Sequence, residues 1–370
     1  MSKMSDTASR SLRPGDPAPW FTARSTSNEK YHFESVAGRT IVLCLFGSAA
    51  KPLSAAVLAG FLARPEVFDD DNAAFFGVST DPSDERLARV RERVPGLRWF
   101  WDFDLAVSRA YGALAEGEPP RYLPRTFVLD ERLRVLAVLP FSQDPAQHVA
   151  QALEAVAARP RLAEGRAELQ APVLVVPRLF EPALCRRLID HYEARGGKDS
   201  GVMRDREGMT VGEYDHSFKR RRDQEIEDET LRQACIALVQ RRLVPEIRKA
   251  YSFEATRIER HIVACYDAQS GGWFRPHRDN GGKATAHRRF AVTLNLNTGE
   301  YEGGELRFPE FGRRAYSVEA GGAIVFGCGM LHEATPVTRG RRYAYLPFLY
   351  DEQAAKVRDG NRRFLAGERR

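Results

Sequence analysis

The sequence predicts an α/β layered domain followed by an α+β domain built mainly from short antiparallel strands. Three observations lead there. Apolar runs of strand length alternate with helical patterns as far as residue 158. A charged stretch over 159–171 then shows no apolar face, and from Arg257 onward short strands recur between Gly, Pro and Asn turns. A chain of 370 residues is long enough for two such domains. The expected partition is a flexible leader over 1–16, a first domain over 17–158 and a linker over 159–171. A second domain with helical support then covers 172–354, and a basic tail 355–370.

In the first domain, residues 40–46 form a continuous apolar run rich in β-branched side chains, as in a strand covered on both faces. Residues 53–63 place Val57, Leu58, Phe61 and Leu62 at helical spacing. Residues 74–79 read as a second buried strand. Residues 84–94 read as a charged amphipathic helix entered through 81–83. A short strand at 98–101, a helix at 105–112, a strand pair at 125–130 and 135–139, and a helix at 144–158 complete the layers. The second domain opens with a strand at 172–176. A helix at 181–195 follows, with Leu184, Cys185, Leu188, Ile189 and Tyr192 on one side, and a second helical stretch covers 230–251.

Composition narrows the function classes. Hydrophobic residues make up 43% and charged residues 29%, and no apolar run approaches the roughly 20 residues that cross a bilayer. The first sixteen residues lack the apolar core of a secretory signal. Cys44, Cys185, Cys235, Cys265 and Cys328 are scattered, without disulfide or zinc spacing. A cytoplasmic protein without a membrane partner is expected. The net charge of +6 lies largely in Lys219-Arg220-Arg221-Arg222 and in residues 358–370, with no nucleic-acid-binding motif beside them. Nucleic acid is therefore not an expected partner. An acidic co-substrate would draw on the same charge.

From Pro14 to Ala157 the order of segments resembles the peroxiredoxin and thioredoxin-like families. Residues 14–21 resemble a peroxiredoxin opening, 41–47 its first core strand, and 101–113 its aspartate-to-tyrosine-glycine stretch. Residues 122–136 resemble the strand pair that carries a proline and an arginine near the active site. The resemblance implies a thioredoxin-like fold with a cysteine at the start of the helix after the first strand. There the helix N-terminus lowers the thiol pKa. In this chain Lys51 and Ser54 stand where a Cys-x-x-Cys pair would be, and Cys44, the domain's one cysteine, lies inside the strand. The domain is expected to be inactive in thiol chemistry, leaving a packing, homodimerisation or protein-partner role.

In the second domain, His277 and Asp279 are two residues apart at a strand end, so imidazole and carboxylate share a face. A later histidine, His332, would complete a 2-His-1-carboxylate set of the kind non-haem Fe(II) enzymes use. The pair alone arises often by chance, but its surroundings are more specific. Tyr266 before the turn at 270–272, the stretch Thr293 to Asn297, the segment Glu302 to Phe308, and Arg342 ten positions after His332 resemble the prolyl 4-hydroxylase-like family over about 90 residues. These are Fe(II)- and 2-oxoglutarate-dependent oxygenases. The resemblance implies a double-stranded β-helix (jelly-roll, cupin-like) with His277, Asp279 and His332 as catalytic iron ligands. It also implies a 2-oxoglutarate carboxylate on Arg342. Tyr266 and Asn295 would either hydrogen-bond the co-substrate or serve structure. With O2, and with ascorbate as a candidate reductant, the expected reaction hydroxylates an unactivated C–H bond of a peptide, prolyl or small-molecule substrate. Succinate and CO2 are the co-products. The rival reading is a non-catalytic redoxin-like interaction or scaffold protein with a decayed oxygenase site.

Strand alternation lets only one of Arg341 and Arg342 face inward, and Arg342 is expected to do so with Ala344, Leu346 and Phe348. His261 and His287 are expected in structural or surface roles, and His191 at the surface. Lys219–Arg222 reads as a solvated loop, with substrate contact as the alternative. Trp273 and Arg275 either line the substrate pocket or pack the wall.

Overall fold

The computed structural model describes residues 2–3, 11–115, 117, 121–162, 169–206 and 208–364. They divide into two compact units split between Arg166 and Ala167, the second also taking in Ser2–Lys3.

The first unit is a seven-stranded sheet in the order 135–140, 125–129, 40–47, 73–79, 97–101, 22–25, 31–32. Thr40–Gly47, Ala73–Ser79 and Leu97–Trp101 run parallel, with Arg125–Leu129 antiparallel to the first. Every residue of Thr40–Gly47 is buried because the sheet is covered on both sides. Ile41, Leu43 and Leu45 pack with Phe76 and Phe100 on one face. Val42, Cys44 and Phe46 pack with Val57, Phe61 and Val149 on the other. The covering helices begin where the sequence punctuates them. Pro52–Leu62 has proline at its start, and Pro145–Ala157 is capped by Asp144, which accepts from the Gln147 amide. This is a thioredoxin-like arrangement.

Three expectations need correction. The helix expected over 84–94 extends only over Pro82–Arg86. Past it Leu87 is exposed and Val90 is the one buried apolar residue up to position 94, so no stripe holds further turns. Arg89 instead folds back onto Asp81 and Asp84. The leader is shorter than 1–16: Gly15 donates to Val135 O, Asp16 is buried, and Ser2–Lys3 pairs with the strand Arg257–Glu259. The basic tail begins later than 355, because Glu352–Asn361 is a helix capped by Asp351 that buries Ala354 and Ala355. Residues 1 and 4–10 of the leader, 163–168 of the linker and 365–370 of the tail lie outside the described residues.

The second unit is a jelly-roll sandwich of antiparallel sheets. The larger runs 257–259, 348–350, 290–295, 341–345, 262–267, 222–225, 198–199, with 323–327 joining 290–295 to 174–176. The smaller runs 219–220, 273–277, 332–334, 306–307, 315–316. Alternation sorts the larger sheet's side chains. Val263, Cys265, Tyr343 and Tyr345 pack against Leu184, Leu188, Leu231 and Leu243 of the supporting helices. Ile262, Ala264, Tyr266, Ala344 and Leu346 turn the other way, toward Phe274 of the smaller sheet.

Candidate metal centre and co-substrate pocket

His277 closes the strand Trp273–His277 and is in register with His332, which opens His332–Ala334. That pairing sets the two imidazoles 4.2 Å apart between ring centroids. Asp279 sits in the following turn, held by its amide on Cys328 O. Its Oδ1 lies 3.6 Å from His277 Nε2 and its Oδ2 3.4 Å from His332 Nε2. One donor atom from each residue falls within 4.8 Å of the other two. Ligands roughly 2.1 Å from one ion stand about 3–4 Å apart, so a single first-row metal fits these donors.

The ring nitrogens support the same use. Nδ1 of His277 is 2.8 Å from Arg275 O, and Nδ1 of His332 is 3.1 Å from Met330 O. A carbonyl only accepts, so each Nδ1 carries the proton and each Nε2 lone pair is left for a metal. Burial lowers the pKa of His332 to about 4, keeping it uncharged at neutral pH. For Asp279 burial acts upward, but His332 and His277 outweigh it and hold the carboxyl well below its usual range.

Tyr266 and Arg342 are cross-strand partners and share a cavity with these three residues. Arg342 is 2% exposed, with Nη2 donating to Asn295 Oδ1 at 3.0 Å and its guanidinium over the Tyr266 ring at 5.1 Å. Its Nε is buried with no acceptor among the described residues. A Cβ at Gly304, where φ is +69°, would stand 2.9 Å from Arg342 Cδ, so the glycine pair at 303–304 leaves room for this side chain. Arg341 faces the other way, paired with Asp267 at 2.9 Å and Glu193 at 3.4 Å.

The segment expected as a solvated loop is not one. Lys219–Arg220 pairs with Trp273–Phe274 in the smaller sheet, and alternation buries Lys219 and Arg221. Lys219 Nζ donates to Ser200 Oγ and Gly201 O. Arg221 grips Asp223 with two hydrogen bonds and sends Nη1 to the Tyr266 hydroxyl at 3.4 Å. His191, expected at the surface, is buried with Nε2 on Glu225 O. His261 contacts the Tyr345 hydroxyl and His287 pairs with Glu259, both away from the metal cavity. Trp273 lies under Arg220, Arg275 donates to Ser217 O, and neither lines that cavity.

The corresponding corner of the first unit holds no thiol. Lys51 is exposed and precedes the helix, while buried Ser54 donates to Phe46 O at 2.8 Å. Burial pushes the Cys44 thiol up to about 12.

Comparison with known proteins matches residues 261–350 to the 2OG-Fe(II) oxygenase superfamily and residues 14–138 to the AhpC/TSA family. The chain joins a redoxin domain to an oxygenase domain. A PKHD-type hydroxylase of Synechococcus sp. (strain JA-3-3Ab) is 36% identical over 89 residues, 22% of this chain and 39% of that one. One from Nitrosomonas eutropha is 30% identical over 131 residues, 33% of this chain and 56% of its own. The chain thus spans only about half, or less, of the length of these relatives. Among solved structures, a Pseudomonas putida prolyl-4-hydroxylase is 22% identical with a TM-score of 0.38, covering 49% of this chain and 94% of that one. Peroxidoxin BcpB of Mycobacterium tuberculosis is 20% identical with a TM-score of 0.35, covering 40% and 99%.

Proposed function

We propose that the oxygenase domain is an Fe(II)- and 2-oxoglutarate-dependent dioxygenase that hydroxylates a C–H bond of a peptide or small-molecule substrate, releasing succinate and CO2. The observation behind this reading is one cavity holding both a three-donor metal set and a buried arginine with an unmet N–H. His277, Asp279 and His332 would hold Fe(II), which when bound supplies the activation of O2. Arg342 would take the distal carboxylate of 2-oxoglutarate, its planar fork setting the co-substrate's direction. Asn295 fixes one end of that guanidinium, so Arg342 is preorganised before the acid arrives. The Tyr266 hydroxyl accepts from Arg221 Nη1 and would donate its own hydrogen toward the same carboxylate. Leu306, Phe326, Leu346 and Phe348 line the cavity and exclude water from the reacting atoms.

Ascorbate is the reductant we propose for sustained turnover, and the redoxin domain a self-association or partner-binding module. Among the described residues no helix is long and apolar enough to cross a membrane, and a cytoplasmic setting is part of the proposal. The test is succinate release from 2-oxoglutarate with Fe(II) and O2, together with anaerobic 2-oxoglutarate binding to the Mn(II)-loaded protein. A folded protein that neither binds nor turns over 2-oxoglutarate overturns the reading.

A further inference from the structure

The outer mouth of the metal cavity is lined by cations, and all but one are already engaged. Arg204 pairs with Glu213 and Asp215, Arg278 with Glu310, and Arg288 with Glu259. Lys219 donates to Ser200 and Gly201. Arg260 differs. Its Nε donates to Leu346 O at 3.0 Å and its guanidinium lies 4.3 Å from the Phe348 ring centroid. Among the described residues its two terminal nitrogens have neither a hydrogen bond nor a carboxylate within ion-pair distance. It lines both the metal cavity, with His277 and Asp279, and the groove outside it.

The backbone is specialised there too. Arg260 takes φ +64°, a left-handed conformation uncommon for a residue other than glycine, between the strands Arg257–Glu259 and Ile262–Asp267. Burial, then the charges of Arg221 and Arg288, push its pKa down to about 10, and Asp223 and Asp279 do not offset them. The surroundings are therefore positive on balance, and an incoming anion would be stabilised.

We propose that Arg260 receives a carboxylate of the substrate, so that the oxygenase domain acts on carboxylate-bearing molecules. This rests on the oxygenase reading above. The co-substrate does not account for Arg260: its distal carboxylate goes to Arg342, which pairs with Tyr266 near the far end of Ile262–Asp267, and its 2-oxo acid end goes toward the metal. Arg260 precedes the near end of that strand, about 20 Å along the backbone at roughly 3.3 Å per residue. With Nε spent on Leu346 O, the terminal edge of the guanidinium presents two parallel N–H donors, the geometry that a carboxylate's two oxygens meet.

The test uses the full-length protein with Mn(II) and saturating 2-oxoglutarate. It reads paramagnetic relaxation of acetate protons against those of acetamide, the neutral isostere, and the phosphorus relaxation of inorganic phosphate. Acetate is expected to be relaxed several-fold more strongly than acetamide. That preference should vanish in Arg260→Gln and persist in Arg260→Lys, while 2-oxoglutarate affinity in both variants stays within about twofold of wild type. Equal relaxation of acetate and acetamide, a preference that survives Arg260→Gln, or a stronger response from phosphate overturns the carboxylate assignment. Weakened 2-oxoglutarate binding in Arg260→Gln overturns the placement of Arg260 outside the co-substrate site. Wild-type protein that takes up neither Mn(II) nor 2-oxoglutarate overturns the oxygenase reading itself.

Discussion

The end of Thr40–Gly47 and the end of Trp273–His277 are the same kind of place, a strand running into a turn where a few side chains could do chemistry. At the first, the hydroxyl of Ser54 is spent on a backbone carbonyl and Lys51 points to solvent. At the second, two imidazoles and a carboxylate converge with their Nε2 atoms and oxygens facing one another. The redoxin fold is specified by apolar alternation over many residues. Chemistry depends on two or three polar groups whose loss costs the fold little. The second site differs in that three donors converge on one point and share a cavity with Arg342, whose buried Nε has no acceptor among the described residues.

The largest expected effect breaks that contrast at its centre. Asp279→Ala should bring succinate formation below detection and weaken Mn(II) binding by well over ~100-fold, because removing a direct ligand exceeds the effect of removing a supporting residue. Calorimetric Mn(II) titration checks this, and an unchanged affinity would remove Asp279 from the metal set. Next in size is the arginine pair. Losing a buried charged partner costs about 3–5 kcal/mol, so Arg342→Ala should weaken 2-oxoglutarate binding by about 150-fold to several thousand-fold. Exposed Arg341→Ala should change it by less than ~1 kcal/mol. A large loss in Arg341→Ala instead would mean that the strand register is one residue off.

A third expectation concerns stability in the polar framework behind Arg260. Burial raises the Glu259 pKa, but His287 and Arg288 outweigh it and lower it from 4.5 to about 2. A depressed carboxyl stabilises the fold above its unfolded pKa and loses that contribution as pH falls through the folded one. The shift corresponds to roughly 3 kcal/mol, present above pH 4.5 and fading toward pH 2. Glu259→Gln should therefore cost about that much at pH 7 and progressively less below about pH 4.5. Urea titrations of the oxygenase unit across pH read the gap; a gap independent of pH would mean Glu259 contributes by shape rather than charge.

How far these features were legible depended on whether their cause was local. Residues 40–46 announced a doubly covered strand because their apolar run is continuous, and Arg342 could be preferred to Arg341 because it precedes an alternating apolar strand and matches the family position. Lys219 and Arg221 could not be read the same way. Their burial follows from pairing with Trp273–Phe274, some fifty residues on, and beyond Phe218 their own stretch is charged. His191 failed for a similar reason, since its partner carbonyl belongs to Glu225. Arg260 carries no motif at all. Its interest arises from what surrounds it and from the carboxylate it lacks among the described residues. The helix expected at 84–94 shows the converse error, a charged segment granted an apolar face that Val90 alone could not provide.

The smallest expected effect lies at the Ser54 corner. Ser54 is 2% exposed and stands where the peroxiredoxin resemblance would put a thiol, yet its visible role is one hydrogen bond to Phe46 O. That carbonyl also accepts from the Ser48 amide, so removing the hydroxyl does not strand it. Ser54→Ala should therefore cost the redoxin unit only about 0.5–1.5 kcal/mol, the net worth of an ordinary hydrogen bond. Wild-type protein should show no thiol-dependent peroxide turnover, because Cys44 is fully buried and its thiol is held protonated. Thermal unfolding of Ser54→Ala and a peroxide-consumption assay on wild type, Ser54→Ala and Cys44→Ser read the two together. Peroxide turnover that disappears in Cys44→Ser would locate a working thiol inside the strand and end the contrast between a silent site and a competent one. If turnover is absent in all three while Ser54→Ala unfolds only slightly earlier, Ser54 is a packing residue in an active-site position, and the domain's surviving role is structural or associative.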